Sequence, residues 1–375
     1  MKKVFIITGE HSGDMHAANV ARHLLEMVPD IQIEAVGGEN LKQKGVKLFS
    51  DHSKMSAMGL SPKILWNHFR LGIDLINYLK NEFKPDLVLL IDYGVFNLKM
   101  AKYLKKEGIR TNYYIPPQVW ASRKWRIKKI KKYVDEVFCI FPFEKDMYEE
   151  YGIKTTYCGH PLISQLPDRA NREEFFERHG FDKNRKLIAI FPGSRVFELK
   201  HLMALFINAA KILKKLHPDL QFVFSQAPNI NDNIYDKYFK NTNFKVIKGE
   251  NHALLSVSDA LILASGTVAL EAALYNTPMI IAYRGPFLFY LIYLLVRCIN
   301  RVSLPNIIAN KDIVPEIIEM QARPDFIAYN IEKLIYDEKV RNEQIEGLKS
   351  VKALLSDKNS SLEVAICIKN QLFGE

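Results

Sequence analysis

The sequence predicts an α/β protein of two Rossmann-like, doubly wound domains facing a central cleft, with a C-terminal helical tail. Continuous apolar runs alternate with helical patterns over most of the 375 residues, which is the mark of parallel strands covered by helices on both faces. That length, with 48% hydrophobic content, is enough for two domains with separate cores. A polar break containing Pro167, Asp168, Arg169 and Asn171 divides the alternation in two.

In the first half, strands are expected at 4–7, 31–36, 87–91, 112–115 and 137–141. The 4–7 run follows Lys2 and Lys3 but is too short for a signal-peptide core, so it reads as a first strand. After the break comes a charged helix, 172–179, then strands at 187–191, 220–224, 245–247, 260–263 and 279–283. Beyond about residue 337 the chain is polar and helical, and Ser360-Ser361-Leu362-Glu363 offers a capping box for a last helix running to residue 372. The expected domains are 1–170, 171–345 and a helical tail, 346–375, that packs back on the first.

A net charge of +10 implies attraction to an anion, whether nucleic acid, lipid headgroup or phosphorylated substrate. Cys139, Cys158, Cys298 and Cys367 have neither disulfide-framework nor zinc-site spacing, which points to a reducing cytoplasm. No apolar stretch reaches the ~20 residues of a membrane span. The dense 287–296 run reads as a buried or interfacial helix.

Two turns carry the clearest chemistry. Gly193-Ser194-Arg195 and Ser265-Gly266-Thr267 each follow an apolar run and open a helical pattern. Such turns present unpaired N–H groups and the positive end of a helix dipole, and two together suit a diphosphate and hence a nucleotide-sugar enzyme. Arg195 is placed to meet phosphate bidentately, and Glu271 to accept from ribose hydroxyls; a surface salt bridge is the plain alternative for each. The first turn, Thr8-Gly9-Glu10-His11-Ser12-Gly13-Asp14, lacks the G-x-G-x-x-G order of a dinucleotide site. Its Gly9 and Gly13 permit close approach, while Glu10, Ser12 and Asp14 either bind sugar hydroxyls or, for Ser12 and Asp14, cap the first helix. Asp92 ends a buried strand where a general base would stand, or simply forms a turn before Tyr93-Gly94.

Residues 123–132 carry seven cations and no acid, with Trp120 and Trp125 beside or within the run. This is either a solvated helix face or a phosphate- and membrane-facing patch, and it has too few aromatics to argue for nucleic acid. The apolar positions Ile64, Leu65, Trp66, Phe69, Leu71, Ile73, Ile76 and Leu79 form a face broader than one buried stripe. Part of it is suited to an acyl chain or the bilayer surface.

The ordered motifs resemble the lipid A disaccharide synthases, inverting glycosyltransferases of the GT-B architecture. The likeness runs through Gly9-Glu10, Ser12-Gly13-Asp14, Val36-Gly37-Gly38, Met58-Gly59-Leu60, Ile91-Asp92, Val119-Trp120-Ala121, Phe141-Pro142-Phe143-Glu144 and Gly159-His160-Pro161. It continues in Pro192-Gly193-Ser194-Arg195 with Glu198, Ala264-Ser265-Gly266-Thr267 with Glu271, Tyr283-Arg284, and Val302-Ser303-Leu304-Pro305-Asn306. The resemblance implies transfer of 2,3-diacylglucosamine from UDP-2,3-diacylglucosamine to 2,3-diacylglucosamine 1-phosphate at the cytoplasmic face of the inner membrane, in lipopolysaccharide synthesis. It makes Asp92 the base and puts Arg195 on the diphosphate and Glu271 on the ribose. Gly193, Ser194, Ser265, Gly266, Thr267, Arg284 and Asn306 join them on the UDP side, and Glu10, Ser12, Gly13 and Asp14 line the acceptor side. Domain 1–170 becomes the acceptor domain and 171–345 the UDP-sugar domain. No metal or cofactor is implied; an anionic membrane surface is an expected partner, nucleic acid is not, and there is room for a homodimer.

The chain departs from the family pattern on the acceptor side only. His11 replaces a small residue, Tyr93-Gly94-Val95-Phe96-Asn97 replaces Ala-Pro-Asp-Phe-Asn, Pro116-Pro117-Gln118 replaces Ser-Pro-Ser, and Ser122 replaces a tryptophan. Two alternatives accompany the transferase: a UDP-sugar epimerase of the same architecture, and a non-catalytic UDP- and lipid-binding relative.

Overall fold

The computed structural model describes residues 1–51, 62–285 and 300–374, with the side chains of 62–69 left out. Met58-Gly59-Leu60, the 287–296 run, Cys298 and the side chains of Ile64, Leu65, Trp66 and Phe69 therefore lie outside the described residues. The chain forms two compact units, one of Met1–Ser164 with the chain from Leu355 on, the other of Gln165–Leu354.

The first unit is built on seven parallel strands: β1 (Lys3–Ile7), β2 (Gln32–Gly37), β3 (Lys47–Asp51), β4 (Leu87–Ile91), β5 (Thr111–Tyr114), β6 (Glu136–Cys139) and β7 (Thr155–Tyr157). Their order is β3-β2-β1-β4-β5-β6-β7. The second unit has six: β8 (Leu187–Phe191), β9 (Gln221–Gln226), β10 (Lys245–Lys248), β11 (Ala260–Leu263), β12 (Met279–Tyr283) and β13 (Glu316–Ile318), in the order β10-β9-β8-β11-β12-β13. Each is the doubly wound arrangement expected, with strand order reversing between β1 and β4 and between β8 and β11.

The expected strands are found to within two residues, because strands such as β4 and β8 are buried along their whole length and must be apolar on both faces. Three strands were not expected: β3, β7 and β13, reading KLFSD, TTY and EII. All three are sheet edges. An edge strand has one neighbour and a partly wet face, so it needs no apolar run.

Helix Glu338–Leu354 belongs to the second unit, which moves the return to the first from 345/346 to 354/355. Its Leu348 and Val351 are buried, and Gln344 is stitched to β12: Oε1 accepts from Met279 N at 2.7 Å and Nε2 donates to Met279 O at 3.1 Å. The last helix, Ser360–Phe373, packs on helix His11–Met27 and is tied to the first sheet by the Tyr114–Ser360 hydroxyl pair at 2.8 Å and by Asn112 Nδ2 donating to Gln371 Oε1 at 2.9 Å. Its N-cap is Asn359, whose Oδ1 accepts from Leu362 N, rather than Ser360. Removing Gln344 strands a buried N–H and C=O, at about 1–3 kcal/mol. Gln344→Ala should therefore melt several degrees below the wild type by scanning calorimetry, and unchanged melting would show that the stitch carries no stability.

Candidate functional site

In a parallel doubly wound sheet the crevice for a ligand opens at the carboxyl ends of the two strands flanking the order reversal. In the first unit these are β1 and β4, and the turns that follow them touch. A Cβ on Gly13 would stand 3.9 Å from Asp92 Cβ and 2.2 Å from Thr8 Oγ1, and one on Gly9 would stand 2.4 Å from the Tyr93 ring. Both glycines are thus required by close approach.

Asp92 and Tyr93 are consecutive non-glycine residues in the left-handed region, with φ of 47° and 50°. Two buried side chains hold them there. Asn97 Nδ2 donates to the carbonyls of Asp92 at 2.8 Å, Ile91 at 3.1 Å and Ile7 at 3.4 Å, and Tyr113 Oη donates to the Asp92 carbonyl at 2.7 Å. Both clamp residues escaped the sequence reading, which weighed Asn97 only as part of an altered loop. The Asp92 carboxyl is half-buried, and its pKa is raised by burial and by the Glu10 charge, with the Tyr93 amide opposing.

Of the other acceptor-side residues, Glu10 and Ser12 are exposed and Gly13 is buried. Asp14 is fully buried and differs from expectation. Its Oδ1 accepts from Gly38 N at 2.6 Å, and its Oδ2 accepts from Asn40 N and Nδ2, each at 2.9 Å. It caps helix Glu39–Gln43 instead of its own, with both oxygens engaged at that helix start. Nearby, His160 and His16 are pushed down to about 3 and about 4, chiefly by burial, so both rings are neutral near pH 7.

In the second unit the turns after β8 and β11 stand side by side, since those strands are neighbours. Gly193 has φ of 118°, and a Cβ there would lie 2.3 Å from Glu198 Oε2. That oxygen accepts from Ser194 N at 2.8 Å and Arg195 N at 3.2 Å. These two amides, expected to be unpaired, are thus held by a capping carboxylate. The Arg195 side chain is 81% exposed, 3.8 Å from Glu198. Gly266 has φ of 154°, and Gly266 and Thr267 are exposed, with Ser265 half-buried, ahead of helix Val268–Leu274. Burial raises the Glu271 pKa, with His252, 3.9 Å away, opposing. Arg284 is exposed just beyond β12.

Asn306 is not open to a ligand. It is buried, its Oδ1 accepts from Ile313 N and Val314 N, and its Nδ2 donates to Val314 O and Glu316 Oε1, all between 2.8 and 2.9 Å. Glu316 also accepts from Val302 N, Ser303 N and Ser303 Oγ, so the Val302–Asn306 motif is a helix start closed by a carboxylate from an edge strand that no sequence signal points to.

The basic run is a short turn, Lys124–Arg126, and helix Ile127–Tyr133. Ile127 and Ile130 are buried; Arg123, Lys124, Lys128, Lys129, Lys131 and Lys132 are exposed, as is 57% of Trp125. Trp120 faces inward and donates from Nε1 to the buried Glu144 at 2.8 Å, where burial lifts the carboxyl to about 7. No helix among the described residues is long and apolar enough to cross a membrane.

The sequence model of the family described as lipid-A-disaccharide synthetase matches residues 4–368. The chain is 36% identical to lipid-A-disaccharide synthase 1 of Legionella pneumophila, over 94% of this chain and 93% of that one. It is 34% identical to lipid-A-disaccharide synthase of Coxiella burnetii, over 100% and 99%. Among solved structures it resembles the UDP-GlcNAc 2-epimerase from Neisseria meningitidis bound to UDP-GlcNAc, with a TM-score of 0.67 at 15% identity over 99% of this chain and 100% of that one. This last likeness bears on fold alone, whereas the first three span the chain at family-level similarity: the chain belongs to the lipid-A-disaccharide synthetase family and is a glycosyltransferase.

Proposed function

We propose that the protein transfers 2,3-diacylglucosamine from UDP-2,3-diacylglucosamine to the 6-hydroxyl of 2,3-diacylglucosamine 1-phosphate, giving the β-1,6-linked disaccharide 1-phosphate and UDP. The observation that carries this reading is Asp92: a carboxylate with a raised pKa, at the order reversal of the first sheet, on a backbone clamped in a left-handed turn. Asp92 takes the proton from the acceptor hydroxyl as its oxygen bonds to the anomeric carbon, and the bond from that carbon to the diphosphate breaks with inversion. Charge gathers on the departing UDP. The Ser265–Thr267 turn neutralises it with the exposed side chains of Arg195 and Arg284, Arg195 being presented by the Gly193–Arg195 turn. Glu271 receives the ribose hydroxyls.

Asp14 and Asn306 support the two turns from within rather than touching substrate, and Glu10 and Ser12 are the acceptor contacts of the first turn. The exposed lysines of 124–132 with Trp125 rest on anionic headgroups at the cytoplasmic face of the membrane. An epimerase is disfavoured by the synthase relatives, and a non-catalytic binder by the built Asp92 turn.

With purified protein, UDP release should require both substrates. Asp92→Ala should lower it by about 10²–10⁴-fold, the range of a lost general base, with UDP affinity retained in calorimetry. Arg195→Ala should weaken UDP by about tenfold, ~1.4 kcal/mol. Full turnover in the Asp92 variant would remove it as the base. Because Asp92 acts deprotonated and its pKa is raised, kcat/KM should fall as pH drops through a value above the ordinary carboxylate range. Glu10→Gln removes one raising charge and should move that acidic limb to lower pH; a limb that stays put would mean Glu10 does not act on the base. Binding to phosphatidylglycerol vesicles should weaken with salt, whereas salt-insensitive binding would point to apolar insertion instead.

A further inference from the structure

An arginine with no carboxylate partner among the described residues stands beside the Asp92 turn. Arg126 Nη1 lies 3.8 Å from where a Cβ on Gly94 would be, with Pro117 Cγ 2.8 Å from the same point. The guanidinium thus packs on the backbone two residues beyond the base. It is half-buried, and no acid is among the charges bearing on it: burial and Arg123 disfavour its charge, and only the Tyr113 phenol favours it. That phenol is the one bonded to the Asp92 carbonyl at 2.7 Å. The Arg126 guanidinium also lies over the Trp125 ring, 5.8 Å from its centroid. Its companions in the run, Lys124, Lys128, Lys129, Lys131 and Lys132, are exposed, so Arg126 alone of the run's cations is turned toward the site from a partly dry position.

A partly desolvated cation next to a second cation is unfavourable until an anion joins them. We infer that Arg126, with Arg123 behind it, binds the phosphate monoester on the anomeric carbon of the acceptor sugar and so presents the 6-hydroxyl of the same sugar to Asp92. This rests on the reaction proposed above. In a hexopyranose C1 and C5 flank the ring oxygen, so the C1 phosphate and the C6 hydroxyl leave from one edge of the same ring, and a base with a phosphate-binding cation packed beside its turn suits a single sugar. A guanidinium also meets two phosphate oxygens at once, which an ammonium cannot.

The test uses the full chain and the variants Arg126→Ala, Arg126→Lys and Lys102→Ala, the last a control at an exposed lysine outside the run. Initial rates are measured with 2,3-diacylglucosamine 1-phosphate and with the same acceptor lacking phosphate. Arg126→Ala should raise KM for the phosphorylated acceptor about tenfold or more, the loss expected of one charge-assisted contact. It should leave the donor KM unchanged and erase the preference for phosphate, with Arg126→Lys recovering part of it and Lys102→Ala keeping all of it. Retention of that preference in Arg126→Ala overturns the inference, and so does a loss confined to binding of phosphatidylglycerol vesicles, which would make the residue a headgroup contact. Calorimetry with glucosamine 1-phosphate decides the matter without turnover: binding to the wild type that Arg126→Ala abolishes supports the site even if the proposed reaction fails, while no binding, or equal binding, overturns it.

Discussion

The site depends on one constraint, the parallel pairing of every strand in both sheets. A parallel strand cannot be joined to its neighbour by a tight turn, so the chain must cross over a face of the sheet and all strands end along one edge. Where the order reverses, successive crossovers go opposite ways and no helix covers the edge between the two strands. The reversals at β1/β4 and β8/β11 therefore fix where chemistry can occur in each unit before any side chain is chosen. Asp92 and the Gly9–Asp14 turn meet because β4 and β1 are neighbours, and Gly193–Arg195 follows the strand next to the one that Ser265–Thr267 follows because β8 and β11 are neighbours too.

Magnitudes show how the Asp92 turn persists. Two non-glycine residues in the left-handed region cost about 1–3 kcal/mol each. The Asn97 amide, spread over three carbonyls, and the Tyr113 hydroxyl contribute about 0.5–1.5 kcal/mol per bond. The two totals are comparable, so the conformation is held by the surrounding core rather than preferred by the turn itself. Some cost is left over: Asn97 Oδ1 and Thr8 Oγ1 are buried with no hydrogen-bond partner among the described residues. Strain and unsatisfied polar atoms thus gather under the carboxylate proposed as the base.

Much of this was legible in the sequence, and the parts that were not share a cause. Central strands announce themselves because both faces are buried; β3, β7 and β13 do not, because an edge is half wet. The positions of Asp92, Arg195 and Glu271 followed from apolar runs that stop at a polar residue. The fates of Asp14, Glu198 and Asn306 did not, since each is decided by partners brought close by folding: Gly38 and Asn40 across β2, the amides of a turn, and Glu316 on an edge strand. Arg126 was visible only as one charge among seven, since a run of cations says nothing about which of them a turn will fold inward.

What separates the carboxylates that build this fold from Asp92, the one proposed to react, is how many donors hold them. Asp14, Glu198 and Glu316 each accept at least two bonds from backbone amides, and the lone pairs so used are closed to a substrate. Asp259 shows the electrostatic side of the same rule: burial pushes its pKa up, but the Leu187 amide, Arg172 and Lys186 outweigh it and hold it below the ordinary range. Glu144 shows the limit, since complete burial lifts it to about 7 despite the Trp120, Phe141 and Ile140 donors. Asp92 has the opposite balance. Burial and a like charge act on it against a single adjacent amide, so its lone pairs are left basic and open, and the donors that would have quenched it are spent instead on its own carbonyl.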